Sequence, residues 1–304
     1  MPPVPVHVRA ALTQEEAAAV AALADRAREI DAVAPLSEQT LLQLRRPPGG
    51  LTHLLAYEDG AAPGDAQAPG SGRVWGYAQL DATGDVPSAE LVVAPEARRR
   101  GVGTALLRRL LRLAPGVRVW AHGLLPPARA LAERAGLESV RDLWRLARPL
   151  EPGDEFNTSL PPGYRVTTFT EADGPAWLAL NADAFADHPE QGRLTAADLA
   201  DRMAQPWFDP AGFFLIRDPD GRPVAFHWTK IEDGIGEVYV VGVAPRAQGL
   251  GLGRAATAIG LAHLRNRGCP RVVLYVDGDN AAAMATYERA GFTRDHLDAQ
   301  LAAR

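Results

Sequence analysis

Gln248-Gly249-Leu250-Gly251-Leu252-Gly253 lies between an apolar run, residues 238–243, and a helix-like run, residues 254–266. Strand, glycine loop and helix in that order aim backbone N–H groups at a phosphate, because a helix N-terminus carries unpaired donors and the positive end of the helix dipole. Glycines let the main chain approach closely and adopt turns that side chains forbid. The loop alone fits a purely structural turn equally well. What favours a phosphorylated ligand is that the chain makes the loop twice.

Working outward, Arg98-Arg99-Arg100-Gly101-Val102-Gly103 occupies the same context in the first half. One constant shift places Ala94-Pro95 on Ala244-Pro245, Gly101 on Gly251 and Gly103 on Gly253. A slightly longer shift places Glu133-Arg134-Ala135-Gly136 on Glu288-Arg289-Ala290-Gly291. Two copies of one domain explain this, 1–150 and 151–304, joined through a Pro/Gly-rich linker over residues 150–163. In each copy, periodicity and caps predict an extended opening piece, two helices, a hairpin, the strand before the glycine loop, the long helix, and a closing strand–helix–strand. The class is α/β, each copy a mixed, largely antiparallel sheet flanked by helices. Ser37 is expected to cap a helix reaching residue 44, and residues 58–72, rich in Gly, Ala and Pro, to form a flexible loop between strands.

Of the 304 residues, 47% are apolar and 23% charged, which is ordinary for a globular protein, and the net charge of −5 gives no electrostatic footprint for nucleic acid. Cys269 is the single cysteine, so no internal disulfide forms. With no secretory leader and no apolar run of membrane-spanning length, a cytoplasmic monomer without nucleic-acid or membrane partners is expected. The seven histidines show no zinc-ligand spacing, so no metal is expected.

Two other phosphate loops fit the sequence less well. A dinucleotide fold places its glycines directly after the strand and an acid at the end of the next; Asp277 meets the second condition, but Ala244-Pro245-Arg246-Ala247 intervenes in the first. A nucleotide-hydrolase loop needs a Gly-Lys-Ser/Thr that is absent. The pattern Arg/Gln-x-x-Gly-x-Gly after Val-Ala-Pro resembles motif A of the GCN5-related N-acetyltransferases (GNAT), in both halves. The strings Val33-Ala34-Pro35, Trp120-Ala121-His122-Gly123, His188-Pro189-Glu190-Gln191-Gly192, Trp207-Phe208-Asp209-Pro210, Phe226-His227-Trp228-Thr229-Lys230 and Gly236-Glu237-Val238-Tyr239-Val240 resemble the tandem branch of that family, which acetylates the cysteinyl amine of Cys-GlcN-Ins.

The resemblance implies acetyl-CoA as cosubstrate. In the first copy it would lie along Leu91, Val92 and Val93 and over Arg99, Arg100, Gly101, Val102, Gly103 and Thr104. In the second it would lie along Val241, Gly242 and Val243, over Gln248, Gly249, Leu250, Gly251, Leu252, Gly253 and Arg254, and against Asn280, Ala281, Ala282, Ala283, Met284 and Ala285. Arg98, Arg99 and Arg100 make the first loop the more basic. The resemblance also implies an acceptor pocket of Glu38, Glu190, Lys230, Glu237 and Tyr275, read across both copies. From sequence alone, Glu38 equally serves the first turn of its helix, Lys230 is solvated, Glu190 is surface, and Trp228 and Tyr239 are core.

Acetyl transfer to an amine needs a base for the ammonium and an acid for the departing thiolate. Glu237, at the head of the strand leading to the loop, is the expected base, with a pKa raised by its apolar surroundings. Tyr287 is the expected acid. The first copy has Pro87 and Ala132 at the matching positions, and its Glu90 is displaced by an odd number of residues, which points it to the opposite sheet face unless a bulge intervenes. The first copy is therefore expected to bind acetyl-CoA without catalysis. Transfer to another amine, such as an aminoglycoside or a protein N-terminus, and a non-catalytic acetyl-CoA sensor are the alternatives.

Overall fold

The computed structural model describes residues 4–45, 49–58, 72–186 and 191–304. Contacts divide it into two units: the first takes residues up to Trp144 with Asp277–Asp279 and His296–Arg304, the second Arg145–Val276 with Asn280–Asp295. The two sequence copies are thus interleaved at their ends, and the closing strand of the chain supplies residues to the first unit.

The first unit runs β1 (His7–Arg9), α1 (Gln14–Asp31), α2 (Glu38–Arg45), β2 (Leu51–Tyr57), β3 (Val74–Asp81), β4 (Ser88–Val93), α3 (Val102–Leu113), β5 (Arg118–Ala121), α4 (Pro126–Ala135) and the start of β6 (Leu137–Pro149). Thr13 and Glu16 close a capping box on α1, and the Ser37 hydroxyl accepts from the Thr40 N–H at 3.2 Å, so the helix start expected at Ser37 forms. Strands β1 to β4 pair antiparallel in order, and β4 then pairs in parallel with β5 through Ser88↔Arg118 and Ala89↔Val119. Leu54, Leu55 and Tyr77 on the sheet and Leu106 and Leu110 on α3 are fully buried, which stabilises helices on both faces. Residues 59–71 of the expected loop lie outside the described residues.

The second unit repeats the plan with β7 (Arg165–Thr168), α5 (Gly174–Ala184), α6 (Ala196–Met203), β8 (Phe213–Arg217), β9 (Pro223–Glu232), β10 (Ile235–Val243), α7 (Leu252–Asn266), β11 (Arg271–Asp277), α8 (Ala281–Arg289) and the start of β12 (Thr293–Ala303). Strands β7 to β10 pair antiparallel in order, and β10 pairs in parallel with β11. Its core is aromatic: Trp228 stacks on Phe213 at 4.4 Å and meets Trp177 edge-on at 5.6 Å. On the other sheet face, the His227 Nδ1–H donates to the Ala256 carbonyl at 2.8 Å, and the ring fills the space a Cβ on Gly260 would need, 2.0 Å from that position. Burial pushes the His227 pKa down to about 4, so the ring is neutral.

In the first unit the end of β12 pairs antiparallel with β5, Ala299 opposite Ala121. A row of charged groups accompanies it. Asp298 accepts from the Gly123 N–H at 2.7 Å and meets His122 Nδ1 at 3.1 Å. The other ring nitrogen of His122 lies 3.7 Å from Glu90 Oε1, and His296 lies 3.4 Å from Asp298. Burial opposes charging the His122 ring, but the Asp298 and Glu90 carboxylates override it and hold its pKa up to about 10. The protonated ring and its hydrogen bonds in turn hold both carboxylates below their ordinary range despite burial.

Two outcomes are expected. Gly260→Ala should destabilise the chain by about 1–3 kcal/mol in urea unfolding, part of it recovered by adding His227→Ala. Because the folded pKa of His122 exceeds its unfolded value, its contribution is complete below about pH 6.5 and is lost as pH rises towards about 10. The gap in unfolding midpoint between wild type and His122→Gln should therefore narrow from pH 7 to pH 10, read by thermal melts.

Candidate functional site

In the second unit, β10 leaves the sheet through a 3-10 turn, Pro245–Ala247, and reaches Gly249 and Gly251 at φ +80° and +77°. Both positive angles favour glycine, and both positions face open space. Gly251 is the N-cap of α7 with no side-chain hydrogen bond, so the first-turn N–H groups are not claimed by a capping side chain. Leu252, 1% exposed, anchors the helix behind them. This arrangement can receive a phosphate on backbone donors.

The first unit builds the same backbone with different side chains. Arg99 takes the place of Gly249 at φ +63°, and Gly101 caps α3 at φ +87°. Arg98 is engaged elsewhere: its guanidinium forks onto Asp31 of α1 at 2.8 and 2.6 Å. The basic surplus of this loop therefore rests on the exposed Arg99 and on Arg100, whose guanidinium stands 5.0 Å over Trp75. Beside α3 runs a groove of about 420 Å³ lined by Thr104, Leu107, Arg108, Leu131 and Arg134.

The strands on which the loops hang diverge. Parallel pairing of β10 with β11 covers Gly236↔Val272 and Glu237↔Val273; beyond Glu237, β10 continues to Val243 without further partners on β11 among the described residues. Glu237 thus stands where the strands part. Its antiparallel partner is Lys230, and Tyr275 lies two residues beyond its parallel partner Val273. With a side-chain period of two, Lys230, Glu237 and Tyr275 share one sheet face. Lys230 is 8% exposed and Tyr275 42%, so the lysine read as solvated is buried, 3.1 Å from Glu232.

A β-bulge between Val238 and Val240 makes Tyr239 the extra residue. Its hydroxyl accepts from Arg202 Nε at 2.9 Å, its ring lies 4.9 Å from Trp207, and the Lys230 ammonium stands 5.0 Å over Trp207 and 5.8 Å over Tyr239. Arg202 went unnoticed in the sequence, although its spacing of three from Leu199 on α6 places both on the buried face. Trp228 is core, as expected.

The bulge also settles the face of Glu90, the condition that the odd displacement left open. In the first unit β3 and β4 pair without a register shift, Glu90 opposite Gln79 and Ser88 opposite Asp81. In the second unit Val240 faces Trp228 and, one residue of bulge later, Glu237 faces Lys230. Glu90 and Glu237 therefore lie on the same face of their respective sheets, and Ser88 is the register counterpart of Glu237.

Tyr287 sits on α8, half-buried and edge-on to Phe292 at 5.8 Å; burial raises its phenol pKa, so it keeps its proton at neutral pH. Asn280 is the N-cap of α8, its side chain accepting from the Ala283 N–H at 3.0 Å. Gly242 allows a close approach of the strand to Phe226, whose ring would lie 2.7 Å from an added Cβ. Asp277, the acid a dinucleotide fold would need, is bound by Arg141 Nε at 2.7 Å. Glu38 is the first residue of α2 in the first unit, and Glu190 lies outside the described residues. Among the described residues no group of three or more His, Cys, Asp or Glu is arranged to hold a metal, and no helix is long and apolar enough to cross a membrane.

Known proteins agree with this architecture. Residues 176–292 match the acetyltransferase (GNAT) family and residues 50–136 an acetyltransferase (GNAT) domain. The chain is 51% identical over 292 residues to a mycothiol acetyltransferase of Thermomonospora curvata, covering 94% of this chain and 93% of that protein. It is 49% identical over 300 residues to one of Streptomyces coelicolor, covering 96% and 93%. Among solved structures, a tandem GNAT protein from the clavulanic acid biosynthesis pathway shares the fold with a TM-score of 0.69 at 18% identity, covering 98% of this chain and 97% of that one. Two glycine-loop units of one design, matched along nearly the whole chain at about half identity, place it: the chain belongs to the mycothiol acetyltransferases, tandem members of the GNAT family.

Proposed function

We propose that this acetyl-CoA-dependent N-acetyltransferase transfers acetyl to the cysteinyl amine of Cys-GlcN-Ins, giving mycothiol and CoA, and that the second unit carries the chemistry. The observation that carries the allocation is the position of Glu237 where β10 and β11 part, on one sheet face with Lys230 and Tyr275. Strands that stop pairing leave backbone donors and acceptors that need partners. The amides of the pantetheine arm supply them along Val241 to Val243 in the second unit and Leu91 to Val93 in the first, with the pyrophosphate on the N–H groups of each glycine loop. In the second unit α8, from Asn280 through Ala285, borders the cosubstrate.

Glu237 takes a proton from the acceptor ammonium, directly or through a water, and the freed amine attacks the thioester carbonyl. As the C–S bond breaks, Tyr287 gives its proton to the CoA thiolate, a role that its raised pKa supports at neutral pH. No covalent enzyme intermediate is formed. Lys230, Glu237 and Tyr275, which share one sheet face of the second unit, hold the hydroxyl-rich acceptor. Ser88 and Ala132 stand where the first unit would need its base and acid, so that unit binds acetyl-CoA without turnover. The single cysteine suits a reducing, cytoplasmic setting.

Glu237→Gln and Tyr287→Phe should each lower kcat by about 100-fold or more while leaving acetyl-CoA affinity within a few-fold of wild type. Thiol release from acetyl-CoA, followed with Cys-GlcN-Ins and with aminoglycosides or peptide amines, checks both points. Near-wild-type turnover in both variants overturns the acid–base assignment, and release with the other amines alone overturns the acceptor.

A further inference from the structure

The sheet face of the second unit that carries Glu237 also holds a cation that packing alone does not explain. Lys230 is buried, and an ammonium taken out of water costs free energy unless it is paired. Its carboxylate neighbour Glu232, 3.1 Å away, keeps 54% of its side chain exposed. At the matching register position the first unit has Asp81, opposite Ser88, in a strand pair without a register shift. Buried lysine, bulge and Glu237 thus occur together, in one unit.

A wall of rings stands against the ammonium. It lies 5.0 Å over Trp207 and 5.8 Å over Tyr239, and both rings lean on Trp228, with centroids 5.8 and 5.3 Å away. Trp228 is fully buried and stacked on Phe213, so the wall is continuous with the core. The bulge brings Tyr239 to this wall, and its hydroxyl accepts from Arg202 Nε at 2.9 Å. Arg202 is buried too, and its Nη1 donates to the Asp198 carbonyl on α6 at 3.1 Å. Ring faces attract a cation without consuming its N–H donors, so an ammonium held in this way is fixed in place while its hydrogen bonds go to oxygens.

We propose that Trp207 and Tyr239, the latter held by Arg202, are positioning residues that fix the Lys230 ammonium for hydrogen bonding to the oxygens of the polyhydroxylated acceptor. The inference rests on the reading of Lys230 as an acceptor contact, and it names the residues that make that contact tight. The long, flexible stem of a lysine loses freedom when a ligand orders it, and that loss weakens binding. Ring faces anchored in the core order it beforehand. Removing one ring lets the ammonium sample positions that must be frozen again on binding, which raises the acceptor KM. Acetyl-CoA, held on the glycine loop and the open strand edge, does not sense the change.

The test is a double-mutant cycle in the full chain on Trp207→Leu and Lys230→Met, reading KM for Cys-GlcN-Ins, KM for acetyl-CoA and kcat. Trp207→Leu should raise the acceptor KM by about 10-fold with acetyl-CoA KM unchanged, and Lys230→Met should raise it by at least as much. Trp207→Phe, which keeps an aromatic face, should stay within about three-fold of wild type. The double variant should be no worse than Lys230→Met alone. Should Trp207→Leu fail to fold, Tyr239→Leu, which removes the other ring, takes its place in the cycle. An unchanged acceptor KM in the ring variant, an equal rise in acetyl-CoA KM, or effects that multiply in the double variant overturns the positioning role while leaving Lys230 as a contact. An unchanged acceptor KM in Lys230→Met overturns the reading of Lys230, and the inference with it. Wild type that turns over no Cys-GlcN-Ins overturns the proposed function and everything built on it.

Discussion

The parting of two parallel strands is the constraint on which the rest of each unit depends. Parallel strands need a crossover, here α3 and α7, and the glycine loop is the point at which that crossover begins. Pairing limited among the described residues to Ser88↔Arg118 and Ala89↔Val119 in one unit, and to Gly236↔Val272 and Glu237↔Val273 in the other, leaves the rest of β4 and of β10 open on one edge as they run to the loop. An open edge, a row of N–H groups at a helix start and space above two positive-φ positions form a single ligand-shaped surface. Take away the parting and the loop has no strand to work with.

Given that frame, the two copies differ mainly in which residues occupy one sheet face. The second unit places Glu237 and Lys230 there, adds Tyr239 through a bulge, and packs it against Trp207 and Arg202. The first has no bulge, puts Ser88 in register with Asp81, and fills the face with His53, Tyr77, Gln79 and Glu90 in hydrogen-bonded contact with one another or with α2. A buried lysine beside aromatic rings and a carboxylate at a strand fork suit proton transfer. A chain of hydrogen-bonded polar side chains that ends on a helix suits holding that helix in place.

Much of this was legible in the sequence because it is local. Glycine spacing after Val-Ala-Pro, the capping residues Thr13 and Ser37 and the shifted repeat all act within a few residues of chain. The two-residue turn at Asp233-Gly234, both with positive φ, also has a local signal in its Asp-Gly pair. What was not legible depends on distant partners. Nothing near Arg98 announces Asp31, sixty-seven residues away. Nothing near Asp298 announces His122, and the extended piece after Thr293 gives no hint that β5 is its neighbour. The bulge at Tyr239 changes the face of a strand through pairing alone, so the sequence can give the side of Glu90 only as conditional on a bulge.

The central claim is that one fork turns over and the other only holds acetyl-CoA. Acceptor-dependent CoA release by two loop variants tests it most directly, since valine at φ +77° or +87° is strained and blocks the approach of a phosphate. Gly251→Val should lose nearly all release, and Gly101→Val should keep most of it. Release that survives in Gly251→Val and disappears in Gly101→Val would place the chemistry in the first unit and contradict the account.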